Sequence, residues 1–187
     1  MPKRAVIVVD IQNDYFSDGK WPLVGQEKAA GNAARVIDRA RAEGDLVVFV
    51  RHESGKGAPF FVPGTPGAEI HASVRNRPDE PVVVKNSINA FLKTDLKRTL
   101  DEKGIEEVTI LGSMSHMCVD AATRAAADYG YKVAVVHDAC ATHDQEFEGR
   151  KVPAAEVHAA FMAALGFGYA KLRSTEDYLG AADAKSG

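Results

Sequence analysis

The feature that most constrains this chain is a repeated alternation. A short β-branched run is followed by a longer stretch with apolar residues at helical spacing, and the pattern recurs to the end. Ala5-Val6-Ile7-Val8-Val9 is an unbroken apolar run ended by Asp10. Such a run suits a central parallel strand buried on both faces. From Gln26 to Glu43, Ala29, Ala30, Ala33, Ala34, Val36, Ile37 and Ala40 fall at helical spacing, and Gly44 closes the segment. Leu46–Val50 predicts a second strand, Val82–Val84 a third ending at Lys85, Val108–Leu111 a fourth and Val133–Val136 a fifth. Tyr169–Leu172 predicts a short sixth. Helices are expected at Thr94–Lys103, with Thr94 as N-cap, at Val119–Tyr129, at Pro153–Leu165 and at Thr175–Leu179. This order argues an α/β fold: a three-layer αβα, Rossmann-like domain around a mainly parallel sheet of about six strands.

The chain has 187 residues and reads as one domain over residues 1–187, with 181–187 expected as a flexible tail. The net charge of −3 offers no electrostatic case for nucleic acid or an anionic membrane. Asp10 cuts the first apolar run short, and no run approaches the roughly 20 apolar residues of a spanning helix. Neither a targeting segment nor membrane association is therefore expected. Two cysteines, Cys118 and Cys140, do not make a disulfide framework, which points to a cytoplasmic protein.

In open α/β sheets, ligands bind beyond the carboxyl ends of the strands. The first strand ends in Asp10 and the third in Lys85. The fourth runs through Gly112-Ser113-Met114-Ser115-His116-Met117 to Cys118, where a helix begins. An acid, an amine and a thiol are thus expected on one rim. Singly, each has a duller reading as a turn residue, a solvated lysine or a small buried hydrophobe. Their joint placement favours Cys118 as a nucleophile, with a pKa lowered by the helix N-terminus and Asp10 as its base. Backbone N–H groups at the turn have no helical partner and are suited to an oxyanion.

Five segments together resemble the isochorismatase-like cysteine hydrolases, a family that includes nicotinamidases, N-carbamoyl amidases and other amidohydrolases. They are Val8-Val9-Asp10-Ile11-Gln12-Asn13-Asp14-Tyr15-Phe16, Pro63-Gly64-Thr65-Pro66-Gly67-Ala68-Glu69, Val84-Lys85, Leu111 to Val119, and Asp138-Ala139-Cys140-Ala141-Thr142. The resemblance implies a triad of Asp10, Lys85 and Cys118. It also implies a cis peptide at Ser113–Met114 and an oxyanion hole from the N–H groups of Met114 and Cys118. The implied activity is hydrolysis of a C–N bond, amide or carbamoyl, in a small molecule through a thioester. The implied assembly is a homodimer or tetramer.

Nicotinamidases carry an Asp-x-His metal spacing after the second strand. Here that stretch reads Val50-Arg51-His52-Glu53-Ser54, so neither a metal nor another cofactor is expected. Phe16, Trp21, Phe60, Phe61 and Phe91 lie in or near the rim loops, as pocket walls or as packing. His116 either faces the site or fills the turn. Gln12 and Asn13 either orient Asp10 or cap a loop. Cys140 is read as structural and Glu146–Arg150 as a solvated loop. An ester or thioester hydrolase, a thiol redox sensor and a silent binding protein are the rival readings.

Overall fold

The structure, a computed structural model, describes residues 3–183. Six parallel strands form the central sheet: β1 (Lys3–Val9), β2 (Leu46–His52), β3 (Val82–Lys85), β4 (Ile105–Ser113), β5 (Lys132–Ala141) and β8 (Lys171–Arg173). Their order across the sheet is β3-β2-β1-β4-β5-β8. Five helices cover it: α1 (Gln26–Glu43), α2 (Leu96–Glu102), α3 (Asp120–Asp128), α4 (Ala154–Gly168) and α5 (Thr175–Asp183).

The two sides of the strands bury against different helices, because successive side chains alternate across a sheet. Ile7, Val9, Val48, Val50, Ile110 and Val135 face one way and pack with Leu96 and Leu100 of α2, Ala122 and Ala126 of α3, and Met162 and Leu165 of α4. Val6, Val8, Val47, Phe49, Leu111 and Val136 face the other and pack with Ala33, Val36, Ile37 and Ala40 of α1 and Tyr178 of α5. The expected three-layer architecture follows from that division. Among the described residues no helix is long and apolar enough to cross a membrane.

Several elements differ from expectation. β5 reaches Ala141 and so carries Cys140 inside the sheet, paired with Gly112. The Thr94 hydroxyl accepts from Leu96 N–H at 3.3 Å, but the helix itself starts one residue later than a Thr94 cap would set. Residues 145–152 form an antiparallel hairpin rather than a plain solvated loop, with β6 (Gln145–Phe147) and β7 (Arg150–Val152). Its turn is Glu148-Gly149, both at positive φ, the backbone that a two-residue hairpin turn requires. Of the expected tail, residues 181–183 complete α5, and 184–187 lie outside the described residues.

Gly112 is the tightest backbone position. It pairs with Val9 at φ 124, and a Cβ there would stand 2.0 Å from the Val9 carbonyl oxygen. Strand β1 can approach β4 this closely only past a glycine. Gly112→Ala is expected to lower the unfolding free energy by at least about 3 kcal/mol, from overpacking plus left-handed strain. Chemical denaturation measures it, and a loss under about 1 kcal/mol would mean the two strands separate readily.

Candidate active site

The chain builds outward from β1 to β2 and β3, then returns to place β4 on the other side of β1. The sheet therefore has its switch point between β1 and β4, the place beyond the strand ends where open α/β sheets bind ligands. Asp10 leaves β1 there, and Cys118 follows β4 by five residues, within a π-helical turn (Ser115–Val119) that leads into α3. Lys85 ends β3, two strands away, and its side chain runs across the end of β2 to reach the same point.

Lys85 Nζ lies 2.7 Å from Asp10 Oδ2, and both side chains have no solvent exposure. The same ammonium donates to Cys118 Sγ at 3.3 Å and lies 2.9 Å from His52 Nδ1. No nitrogen or oxygen donor hydrogen-bonds to Asp10 Oδ1 among the described residues. Asp10 has φ 50, a left-handed conformation that aspartate tolerates better than most side chains. The Ser113–Met114 peptide is cis. Met114 N–H has no acceptor among the described residues, while Met114 O accepts from both Met117 and Val119.

The electrostatics revise one expectation. Burial, then the Asp10 carboxylate, push the Cys118 thiol up to about 12, against the opposing pull of Lys85. The resting cysteine is therefore a thiol, not the thiolate that a helix N-terminus alone would favour. Burial by itself would lower the Lys85 pKa, but Asp10 and Cys118 outweigh it and hold Lys85 charged. The Tyr15 hydroxyl is raised well above its ordinary range by burial, then by Asp10 and Cys118.

The aromatic residues divide. Trp21 packs on Phe60 with centroids 5.0 Å apart and meets His143 edge-on at 5.7 Å. Phe60 and Phe61 flank Tyr15, and Met114 packs into the same cluster. His116 bonds through Nδ1 to the Thr142 hydroxyl at 2.6 Å and lies 5.8 Å from His143. Ring contacts thus connect Trp21, Phe60, His143 and His116 in one aromatic wall, and Met114 packs against the same buried cluster as Phe60. Phe16 and Phe91 do not join it. Phe16 stacks on His71 and is buried beneath α1, whereas Phe91 packs against Tyr129 and Tyr131 on the opposite face. Their loop positions predicted a rim place, but the loops fold inward there and both rings fill core space.

Gln12 and Asn13 do not bond to Asp10. Gln12 is fully buried and clamps the β2 end, accepting from His52 N–H at 2.8 Å and donating to His52 O at 2.9 Å. Asn13 donates to Pro66 O. Asp14 accepts from Phe61 N–H at 2.7 Å, and a side chain on Gly67 would overlap its carboxylate. His52, weighed in the sequence as a metal ligand or a polar contact, is a polar contact of Lys85, while Tyr15 and His143 were not singled out. His52 stands in register with Lys85 on adjacent strands, a signal visible only once strand order is known. Cys140 is buried, its thiol donating to Val136 O and pushed up to about 12 by burial. No group of three or more His, Cys, Asp or Glu side chains that could hold a metal occurs among the described residues.

Comparison with known proteins agrees with this architecture. The isochorismatase family protein YddQ of Bacillus subtilis (strain 168) is 49% identical over 176 residues, which cover 94% of this chain and 98% of YddQ. Streptothricin hydrolase of Streptomyces noursei is 38% identical over 75% of this chain, which spans only 50% of that protein. The crystal structure of an isochorismatase hydrolase from Oleispira antarctica superposes with a TM-score of 0.91 at 53% identity, covering 93% of this chain and 94% of the other. With the isochorismatase domain profile matching residues 4–163, the chain belongs to the isochorismatase family of hydrolases.

Proposed function

We propose that the protein is a cysteine-dependent amidohydrolase that cleaves a C–N bond of a small molecule through a thioester. The observation that carries this is the convergence of a carboxylate, an ammonium and a thiol at the switch point, with the ammonium bonded to both of the others.

In this reading Asp10 takes the Cys118 proton as the sulfur attacks the carbonyl carbon. The thiol at about 12 makes an unaided thiolate scarce at neutral pH, so transfer to the adjacent carboxylate accompanies attack. The N–H groups of Met114 and Cys118 hold the tetrahedral oxyanion. Collapse breaks the C–N bond as Asp10 returns its proton to the departing nitrogen, and the amine leaves. Water then gives a proton to Asp10 and attacks the thioester, and the acid departs as Cys118 regains its hydrogen. Lys85 stays an ammonium throughout and stabilises whichever of carboxylate and thiolate is charged. Amines are poor leaving groups, and a carboxyl that shuttles one proton answers that need. The wall of Trp21, Phe60, His116 and His143 is aromatic and carries no carboxylate, which suits a flat, uncharged portion of the substrate.

Three outcomes are expected. Small amides, ureides and carbamoyl compounds are incubated with the protein, and ammonia or amine release is followed. At least one turns over, Cys118→Ala abolishes it, and a slow substrate leaves an acyl mass on Cys118; equal turnover by the variant would sink the thiol mechanism. Asp10→Asn separates base from electrostatics. Amide turnover should fall by roughly 10²–10⁴, while iodoacetamide alkylation of Cys118 should speed up, because the charge that disfavours the thiolate is gone. If both fall together, Asp10 is not what raises the thiol. Finally, the alkylation rate of the wild type should keep climbing beyond pH ~10, where an ordinary thiol near 8.5 has levelled off. A plateau near pH 9 would contradict the raised thiol.

A further inference from the structure

Lys85 has three N–H donors and no acceptor. Its buried Nζ has three partners: Asp10 Oδ2 at 2.7 Å, Cys118 Sγ at 3.3 Å and His52 Nδ1 at 2.9 Å. Two of these belong to the reaction proposed above. The third has no place in it, yet it completes the hydrogen bonding of an ammonium that is closed off from bulk solvent. We propose that His52 is a positioning residue, a neutral imidazole whose bare Nδ1 accepts from Lys85 and holds it between Asp10 and Cys118. The assignment rests on that reading of Asp10, Lys85 and Cys118 as the reacting group.

The tautomer follows from the donors. With a carboxylate at 2.7 Å, Lys85 is an ammonium and can only donate, so the facing nitrogen must carry a lone pair and the proton must sit on Nε2. The groups whose charge the ring feels are Lys85 and Asp10. Burial first and Lys85 second hold the imidazole below its ordinary pKa, with Asp10 opposing. The backbone is held as firmly as the ring. Gln12 bonds to both the N–H and the carbonyl of His52, and strand pairing sets His52 directly beside Lys85. The neighbouring charges, Arg51 and Glu53, pair with each other at 2.7 Å. Gln12, a residue of the first strand's exit, thereby controls the Lys85 ammonium through His52.

The test uses the whole protein and needs no substrate for its main readouts. Nitrogen-15 NMR of the wild type should show Nε2 protonated and Nδ1 bare; a proton on Nδ1 would overturn the assignment. In His52→Leu the ammonium loses one anchor and stabilises the thiolate less. Iodoacetamide alkylation of Cys118 at pH 8 should then fall roughly tenfold, the effect of about one unit in the thiol pKa. His52→Asn, whose side-chain oxygen can stand near the Nδ1 position, should restore the rate to within about twofold, on the same scale. Equal rates in wild type and His52→Leu would overturn the proposal. With any amide that turns over, His52→Leu should lower kcat roughly 10- to 100-fold with KM little changed, since misplacement of a positioned group acts on the chemical step. Should His52→Leu fail to fold, the wild-type tautomer decides. Loss of alkylation in His52→Leu in a protein that turns over no amide supports this assignment while removing the hydrolase reading.

Discussion

Everything at the switch point depends on keeping an ammonium and a carboxylate together in the closed interior of the sheet's edge, out of bulk solvent. Each buried ion carries a desolvation penalty of several kcal/mol, and the pair's attraction offsets it only in close geometry. Lys85 and Asp10 achieve that geometry at 2.7 Å with no side-chain exposure. Their positions come from strands that are not neighbours, β3 and β1. The pair therefore requires the sheet order β3-β2-β1 and the Gln12 clamp on the end of β2. An ion pair of this kind adds little net stability relative to an apolar pair of similar volume. It is better understood as a constraint accepted for what it does to the adjacent thiol.

That thiol illustrates why magnitudes matter. Moving it from 9.0 to about 12 corresponds to roughly 4 kcal/mol against the thiolate. A helix N-terminus typically offers about 0.3–1 kcal/mol in favour of a nearby anion. Burial and a carboxylate neighbour thus outweigh both the helix end and Lys85. The site holds a protonated sulfur next to a base, a resting state that limits adventitious oxidation, because the thiolate is the reactive form. Cys140, equally buried and bonded to Val136 O, makes a poor resolving partner for a redox switch.

The aromatic wall shows where local reasoning fails. Phe16, Trp21, Phe60 and Phe91 are chemically alike and all lie in loops near strand ends. Loop anchoring separates them. Asp14 fastens the Phe60-Phe61 segment by accepting from Phe61 N–H, and Trp21 N–H donates to the Asp14 carbonyl, so Trp21 and Phe60 meet over Tyr15. Phe16, one residue past Tyr15, points instead under α1.

Period and punctuation in the sequence were enough to determine the strand and helix order, the α/β layering, and the location of Asp10 and Lys85 at strand ends and of Cys118 in the turn after the fourth strand. Those are properties of short stretches: β-branched runs, apolar residues at helical spacing, and Gly at segment ends. The hairpin at Glu148-Gly149 was equally local, but its flanking strands are only three residues long and its apolar alternation is weak. Tertiary structure alone decided the rest. His52 meets Lys85, 33 residues on, only because β2 and β3 are adjacent and in that register. Which aromatics meet one another depends on how loops 40 or more residues apart are tied together, as Asp14 and Phe61 are. The state of the Cys118 thiol depends on burial and on charges brought in from two other strands. Periodicity carries information over a few residues, whereas desolvation and Coulomb interactions depend on distances in space, which no short window of sequence contains.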